Sequence, residues 1–178
     1  YISLSYGKTT FQSPSYELKT NFDLLDFFIK MMPTAYDTVR PDGLPFIACG
    51  SLTLLLMPMF FFARKPSGRE KLAAAGFIAV FAVSMSLSLP DLVWHGFQTP
   101  NWLNYRYAFM LIFFFITLAY RAFSELRELE IRWLLPVVFA LVALIAIAQK
   151  VCDYEWLSDI YVIWITLGLL AVSVFCIW

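Results

Sequence analysis

The stretch Arg132–Gln149 reads RWLLPVVFALVALIAIAQ and carries a single charge, at its first residue. An α-helix needs about 20 mostly apolar residues to cross the hydrocarbon core of a bilayer, which is about 30 Å thick. Polar and apolar residues do not alternate here as they would in a barrel strand, and an unpaired strand would leave its backbone groups unsatisfied in lipid. The stretch is therefore predicted to be a transmembrane helix.

Further segments of the chain have the same apolar character, and the composition agrees with them. The sequence is 61% hydrophobic and 15% charged, whereas soluble domains are about 45–50% apolar and about 25% charged. We predict an all-α polytopic integral membrane protein with about five transmembrane helices, in which residues 1–43 are extracytoplasmic and residues 44–178 form the transmembrane domain. The predicted spans are about 44–63, 70–89, 105–123, 132–149 and 160–178. The formal net charge of zero argues against nucleic acid as a partner.

Basic residues in the short loops predict the orientation of the spans, because cytoplasmic loops are enriched in Lys and Arg. The loop after the first span carries Arg64, Lys65 and Arg69, whereas residues 90–104 carry no Lys or Arg. We expect residues 90–104 and the N-terminal region on the outer side of the membrane, and the C-terminal end on the cytoplasmic side. The chain opens at Tyr1 and stops in an apolar run, and we expect it to be an internal part of a longer protein.

An amphipathic helix is predicted over about residues 21–32, ahead of the first span. Apolar residues recur there at steps of three and four, with Asp23, Asp26 and Lys30 between them. Thr20 or Asn21 could cap its start, and the proline that follows would end it. The helix could lie on the outer membrane surface or pack against the core of the protein.

A proline-rich turn between this helix and the first span carries Asp37, Arg40 and Asp42. One interpretation is a solvated turn with an Asp37–Arg40 contact. The other is a wall of a binding site that faces the second outer loop, in which Asp37 and Asp42 are secondary candidates for contact with a divalent metal or a substrate. No Cys/His cluster of metal-ligand spacing is present.

Residues 90–107, PDLVWHGFQTPNWLNYRY, are the densest polar and aromatic segment and hold the only histidine of the chain. Trp and Tyr are enriched at membrane interfaces without any catalytic reason, but that tendency does not explain the amides and the imidazole. Aromatic faces beside hydrogen-bonding groups suit a polar ligand such as a sugar. The candidate binding residues are Trp94, His95, Gln98, Asn101, Trp102, Tyr105 and Arg106.

Arg106 is the most informative of these residues, because it stands at the outer end of a span against the usual charge bias. Its guanidinium offers a fork of donors that matches phosphate oxygens. The alternatives are snorkelling to lipid headgroups and pairing with Asp91. For His95, a structural hydrogen bond is the alternative to a role in binding, and no second histidine exists for a metal pair.

These motifs resemble the bacterial YfhO membrane protein family. The resemblance runs from about Asn21 to Phe123, while the last two spans fit in hydrophobicity only. It is carried by Tyr36-Asp37-Thr38, Gly43-Leu44-Pro45, Cys49-Gly50, Arg69-Glu70-Lys71, Trp94-His95-Gly96-Phe97-Gln98, Pro100-Asn101-Trp102 and Tyr105-Arg106-Tyr107.

The resemblance implies a glycosyltransferase architecture similar to that of GT-C enzymes. It further implies sugar transfer from an undecaprenyl phosphate carrier to a cell-surface polymer such as lipoteichoic acid, on the outer face of the membrane. GT-C enzymes usually carry their catalytic acidic residue in the first outer loop, which we expect to precede this sequence. No catalytic role is therefore carried over to a residue of this chain.

A transporter or flippase and a non-catalytic membrane scaffold are the competing functions. A transporter needs polar groups near the bilayer midplane, often at broken helices. Here the spans are apolar in the middle and the polar groups gather at the outer edge, which favours an interfacial reaction. Pro58 and Pro136 could still kink their spans.

Overall fold

The computed structural model describes residues 16–33, 43–98, 104–125, 131–152 and 160–177. Within these ranges the chain forms seven α-helices and a short 3-10 turn, and no strand beyond an isolated antiparallel bridge between Thr20 and Leu87. The helices are α1 (Leu24–Ile29), α2 (Ser51–Phe62), α3 (Gly68–Ser86), α4 (Ser88–Trp94), α5 (Ala108–Ser124), α6 (Leu134–Val151) and α7 (Ile160–Ile177), and the 3-10 turn is Ile131–Trp133. The predicted all-α class is confirmed for this part of the chain.

Helix α2 lies at the centre of the packing and contacts α5, α6 and α7. It is apolar on every side, as expected of a helix that neighbours surround, and Leu55 and Phe60 are almost completely buried. The hydroxyls of Ser51 on α2 and Ser173 on α7 lie 2.9 Å apart and share a hydrogen bond. The first apolar segment therefore organises the others around itself.

The helical part of the first predicted span is shorter than the apolar run. Residues 43–50 are not helical, and α2 begins only after Gly50, whose φ of +87° belongs to the left-handed region that favours glycine. Ile47, in this lead-in, is completely buried. Irregular backbone inside a bilayer is tolerated where protein covers it, so this burial is compatible with a membrane location.

The second predicted span is divided into two helices. Helix α3 starts with a capping box, in which Glu70 N donates to Ser67 Oγ and Ser67 N donates to Glu70 Oε2. It ends at Ser86, and Leu87 beyond it is extended, with φ −114° and ψ 135°. Helix α4 then occupies residues 88–94, a stretch that was predicted to be the end of a span followed by a loop.

The segment before α1 holds this break in place. Asn21 N donates to Ser86 O at 2.7 Å, and Asn21 Nδ2 donates to Met85 O at 3.1 Å. Ser88 N donates to Lys19 O at 3.0 Å. Backbone groups at a helix end need partners from outside the helix, and the N-terminal segment supplies them.

Helix α1 is also shorter than predicted, and its charged residues are placed differently. Asp23 precedes the helix, and its N–H donates to Asp26 Oδ2 at 3.0 Å. Asp26 and Lys30, which the sequence pattern put on a polar face, are both buried, because α1 packs against α3 and α6. The structure thus favours the core-packing alternative for this helix.

The outward surface of the helices is rich in large apolar side chains. Phe113 on α5, Phe139 on α6 and Phe175 on α7 are each more than 70% exposed. Large apolar side chains exposed on several helices are typical of a surface that contacts a membrane or another protein. By length and composition, α6 could cross a bilayer, while Ser51–Phe62, Ala108–Ser124 and Tyr161–Ile177 are apolar but shorter.

Candidate functional site

Tyr107 joins the break between α3 and α4 to the start of α5. Its Oη lies 2.8 Å from Asp91 Oδ1 and 3.0 Å from Ser84 O, and the residue is buried. Ser84 O is available because Ser88 N, its partner in a continuous helix, donates to Lys19 O instead. The break therefore creates the acceptor that fixes Tyr107.

Asp91 lies at the centre of this hydrogen-bonded group. Burial raises the pKa of its carboxyl above the ordinary value of 3.8, and the bond from Tyr107 and the proximity of His95 oppose that rise only in part. A carboxyl with a raised pKa takes up a proton more readily.

His95 caps the end of α4 and packs edge-on against Tyr107, with ring centroids 5.8 Å apart. Its Nδ1 lies 2.9 Å from Asp91 O and 3.5 Å from Asp91 Oδ1, and its side chain is only 6% exposed. A carbonyl oxygen can only accept, so Nδ1 carries a hydrogen, and in the neutral form of the ring Nε2 is an acceptor.

The other nitrogen of His95 is the exception in this otherwise bonded group. His95 Nε2 is buried and has no hydrogen-bond partner among the residues that the structure describes. A buried acceptor that lacks a partner costs about 1–3 kcal/mol. Such an atom in a native protein calls for an explanation, such as a ligand or a water molecule that occupies it.

Aromatic rings surround the same group. Trp94 stacks on Tyr107 with centroids 5.0 Å apart and planes 18° apart, and Phe81 lies 5.3 Å from Trp94. Trp94 is still 42% exposed, so part of its indole is open to a ligand or to lipid. The cluster combines an apolar wall with the polar Asp91 and His95.

The chain leaves α4 through a Schellman turn. Gly96 N donates to Val93 O at 3.1 Å and Phe97 N donates to Leu92 O at 2.9 Å, which is the bond pair that defines this motif. Gly96 has a φ of +65°, a conformation that glycine adopts without strain. The turn leaves Phe97 and Gln98 exposed.

The predicted site residues are thus divided by the structure. Trp94 and His95 meet at Tyr107, and Gln98 is exposed just beyond them. Tyr105 is buried edge-on against Phe22 and serves the packing of the N-terminal segment. Arg106 is exposed between the two buried tyrosines. The remaining candidates lie outside the described residues; they are Asp37, Asp42, Asn101 and Trp102.

Two residues of the group were not predicted as site residues. Asp91 was considered only as a partner for Arg106, although its four-residue spacing from His95 puts both on one face of a helix. That signal requires recognising α4, which was missed. Tyr107 was attributed to the membrane interface, and nothing in its sequence context indicates its bond to Ser84.

The part of the chain that the structure describes contains no cluster of side chains suited to bind a metal ion. No group of three or more His, Cys, Asp or Glu side chains there is close enough together to hold an ion. Cys49, Cys152 and Cys176 are free thiols.

Comparison with known proteins identifies the family. The family model described as bacterial membrane protein YfhO matches residues 1–178, the whole sequence. No curated protein and no solved structure matches the chain. The family match, the helical fold and the exposed apolar surface agree on a membrane location. The chain belongs to the YfhO family of bacterial membrane proteins.

Proposed function

We propose that this chain is part of a multi-pass glycosyltransferase that works on the outer face of the bacterial cytoplasmic membrane. In this proposal a sugar passes from a polyprenyl-phosphate carrier to a cell-surface polymer such as lipoteichoic acid. Membership of a bacterial membrane protein family supports a membrane role of this general kind. The proposed arrangement has about five spans, with residues 90–104 outside and the C-terminal end in the cytoplasm.

The observation that carries the proposal is the contact between the end of α4 and the turn before α5. Tyr107 bonds to Asp91 and packs against Trp94 and His95. Arg106 directly precedes Tyr107 and is exposed. A cation, an indole edge and polar groups thus share one end of the helices, as a ligand with a phosphate and a sugar requires.

Arg106 is proposed to bind the phosphate of the carrier. Negative charge grows on that phosphate as the glycosidic bond breaks, because the bonding electrons leave with the phosphate oxygen. A preorganised guanidinium therefore stabilises the transition state more than the ground state. Trp94, Gln98, Asn101 and Trp102 are the proposed sugar contacts, and the catalytic base is not assigned.

A transporter or flippase is the second candidate. The break between α3 and α4 favours it, because transporters bind substrates at breaks in helices. The bonds that hold this break include Ser88 Oγ to Glu17 O and Lys19 N to Ser88 Oγ, which are exposed. Lys19 and Glu17 also form an exposed ion pair at this break, and charged side chains are costly at the bilayer midplane, so an interfacial site is favoured over a midplane one. A deletion strain with normal surface sugars and altered solute or lipid export would favour transport.

The proposal is tested by substituting Arg106 in the full-length protein and measuring sugar incorporated into the surface polymer. Arg106→Ala is expected to lower the transfer rate about a hundredfold, the usual loss for one transition-state donor. Arg106→Lys keeps the charge without the fork of donors, so an intermediate rate is expected. Lys150→Ala, an exposed cation near the end of α6, is the control and should transfer normally. Full activity of Arg106→Ala at a normal membrane level would overturn the role of Arg106.

A further inference from the structure

His95 Nε2 is the buried polar side-chain atom that the described part of the structure leaves without a partner. The rest of the imidazole is fixed. Nδ1 is bound by the Asp91 carbonyl, Tyr107 lies against the ring, and Tyr107 is itself bonded to Asp91. The ring is therefore held in one orientation, and in its neutral form it presents Nε2 as an acceptor on its far side.

The chemistry of an acceptor limits what it can bind. An ionised phosphate has only acceptor oxygens and forms no hydrogen bond with an imidazole nitrogen that carries no hydrogen. A sugar hydroxyl can donate a hydrogen bond to that nitrogen. Arg106 has the opposite chemistry, because a guanidinium only donates. The two residues are thus suited to different halves of a sugar phosphate.

We propose that His95 Nε2 accepts a hydrogen bond from a hydroxyl of the carrier-linked sugar, and that Asp91 and Tyr107 are positioning residues for the imidazole. The inference rests on the proposed function and names His95 Nε2 as the atom that recognises the sugar. Trp94 and Gly96, the chain neighbours of His95, are exposed, and His95 as a whole residue is of intermediate exposure, so it lies close to the surface. Because Nε2 is buried, a neighbouring side chain has to rotate before a hydroxyl reaches it.

Two substitutions of His95 distinguish the contributions of its two ring nitrogens. The amide nitrogen of Asn can take the place of Nδ1 and keep the bond to Asp91 O, but it leaves nothing at Nε2. The longer Gln can bring its amide oxygen to the position of Nε2. Val93→Ala, at an exposed position on the same helix, is the matched control.

Binding is measured on the full-length protein in nanodiscs with two probes, undecaprenyl phosphate alone and undecaprenyl phosphate carrying a sugar. Wild type is first tested with glucose, galactose and N-acetylglucosamine as the sugar, and the tightest of these is used. His95→Asn is expected to bind the sugar-linked carrier about tenfold more weakly, the effect of one neutral hydrogen bond. It should bind bare carrier as wild type does, and its melting temperature without ligand should not fall. His95→Gln should recover at least part of the lost affinity.

Several results would overturn the inference. Wild-type affinity of His95→Asn for the sugar-linked carrier would do so, and so would an equal loss for the bare carrier, which indicates structural damage. A loss in His95→Gln as large as in His95→Asn would reject an acceptor at Nε2. The failure of the proposed function itself looks different: wild type would then bind no sugar-linked carrier more tightly than the bare one.

Discussion

Asp91 shows how one buried carboxyl can organise a site at the end of a helix. Its carboxyl accepts a hydrogen bond from the Tyr107 hydroxyl and lies 3.5 Å from His95 Nδ1. Its backbone carbonyl is hydrogen-bonded to the same Nδ1. The sequence could place Trp94 and His95 near the turn that carries Arg106, because all lie in one polar and aromatic segment. It could not rank Asp91, because the importance of that residue depends on burial and on a bond to Tyr107.

Titration of Asp91 should make the stability of the protein depend on pH. The folded carboxyl has a pKa above the ordinary value of 3.8, so between these two values the folded state holds a proton that the unfolded state has released. Stability therefore falls as pH rises through this window, by about 1.4 kcal/mol for each pH unit that the window spans. Asp91→Asn cannot titrate, and its stability relative to wild type should rise with pH over that range.

The measurement is thermal unfolding in detergent at a series of pH values from 3.5 upwards, with wild type and variant compared at each pH. Glu17→Gln, at an exposed carboxylate, is the control and should follow the wild-type curve. Parallel curves for wild type and Asp91→Asn would show that Asp91 has the same pKa in both states and is not desolvated.

At the scale of the elements, apolar runs predicted where helices occur, but not where they break. Helix α3 stops at Ser86 because Asn21 and Lys19 bond to the backbone on either side of Leu87. These partners are more than 60 positions away along the chain, and no local pattern reports them. The late start of α2 after Gly50 was missed for a different reason, since apolar composition is the same in helical and irregular backbone.

The Schellman turn that follows α4 gives a test at this scale. Alanine at Gly96 would meet no atom within 4 Å, so its cost comes only from the φ of +65°. Gly96→Ala should lower the stability of the protein by about 1–2 kcal/mol, measured by unfolding in detergent. Gly76→Ala, in the middle of α3 and equally free of contacts, should be neutral or slightly stabilising. Equal effects of the two substitutions would contradict the left-handed turn.

At the scale of the whole molecule, α2 lies among α5, α6 and α7, while large aromatic side chains face outward. The hydrophobicity of the sequence predicted that apolar helices would pack together and also expose apolar side chains, but it did not predict which residues would do each. It could not predict which helices meet, because each of the apolar segments could lie against either protein or lipid. The central position of α2 follows from packing between segments that are far apart in sequence.

The orientation of the α4–α5 turn is the claim on which the proposed function depends, and cysteine labelling tests it most directly. Gln98→Cys and Lys65→Cys, both at exposed positions, are made separately in the full-length protein after the native Cys49, Cys152 and Cys176 are replaced by serine, with any cysteines elsewhere in the full-length protein also replaced. Intact cells are treated with a membrane-impermeant maleimide. Cys at position 98 should be labelled in intact cells, and Cys at position 65 only after permeabilisation. Labelling of position 65 in intact cells, with protection of position 98, would put the turn in the cytoplasm and contradict sugar transfer at the outer face.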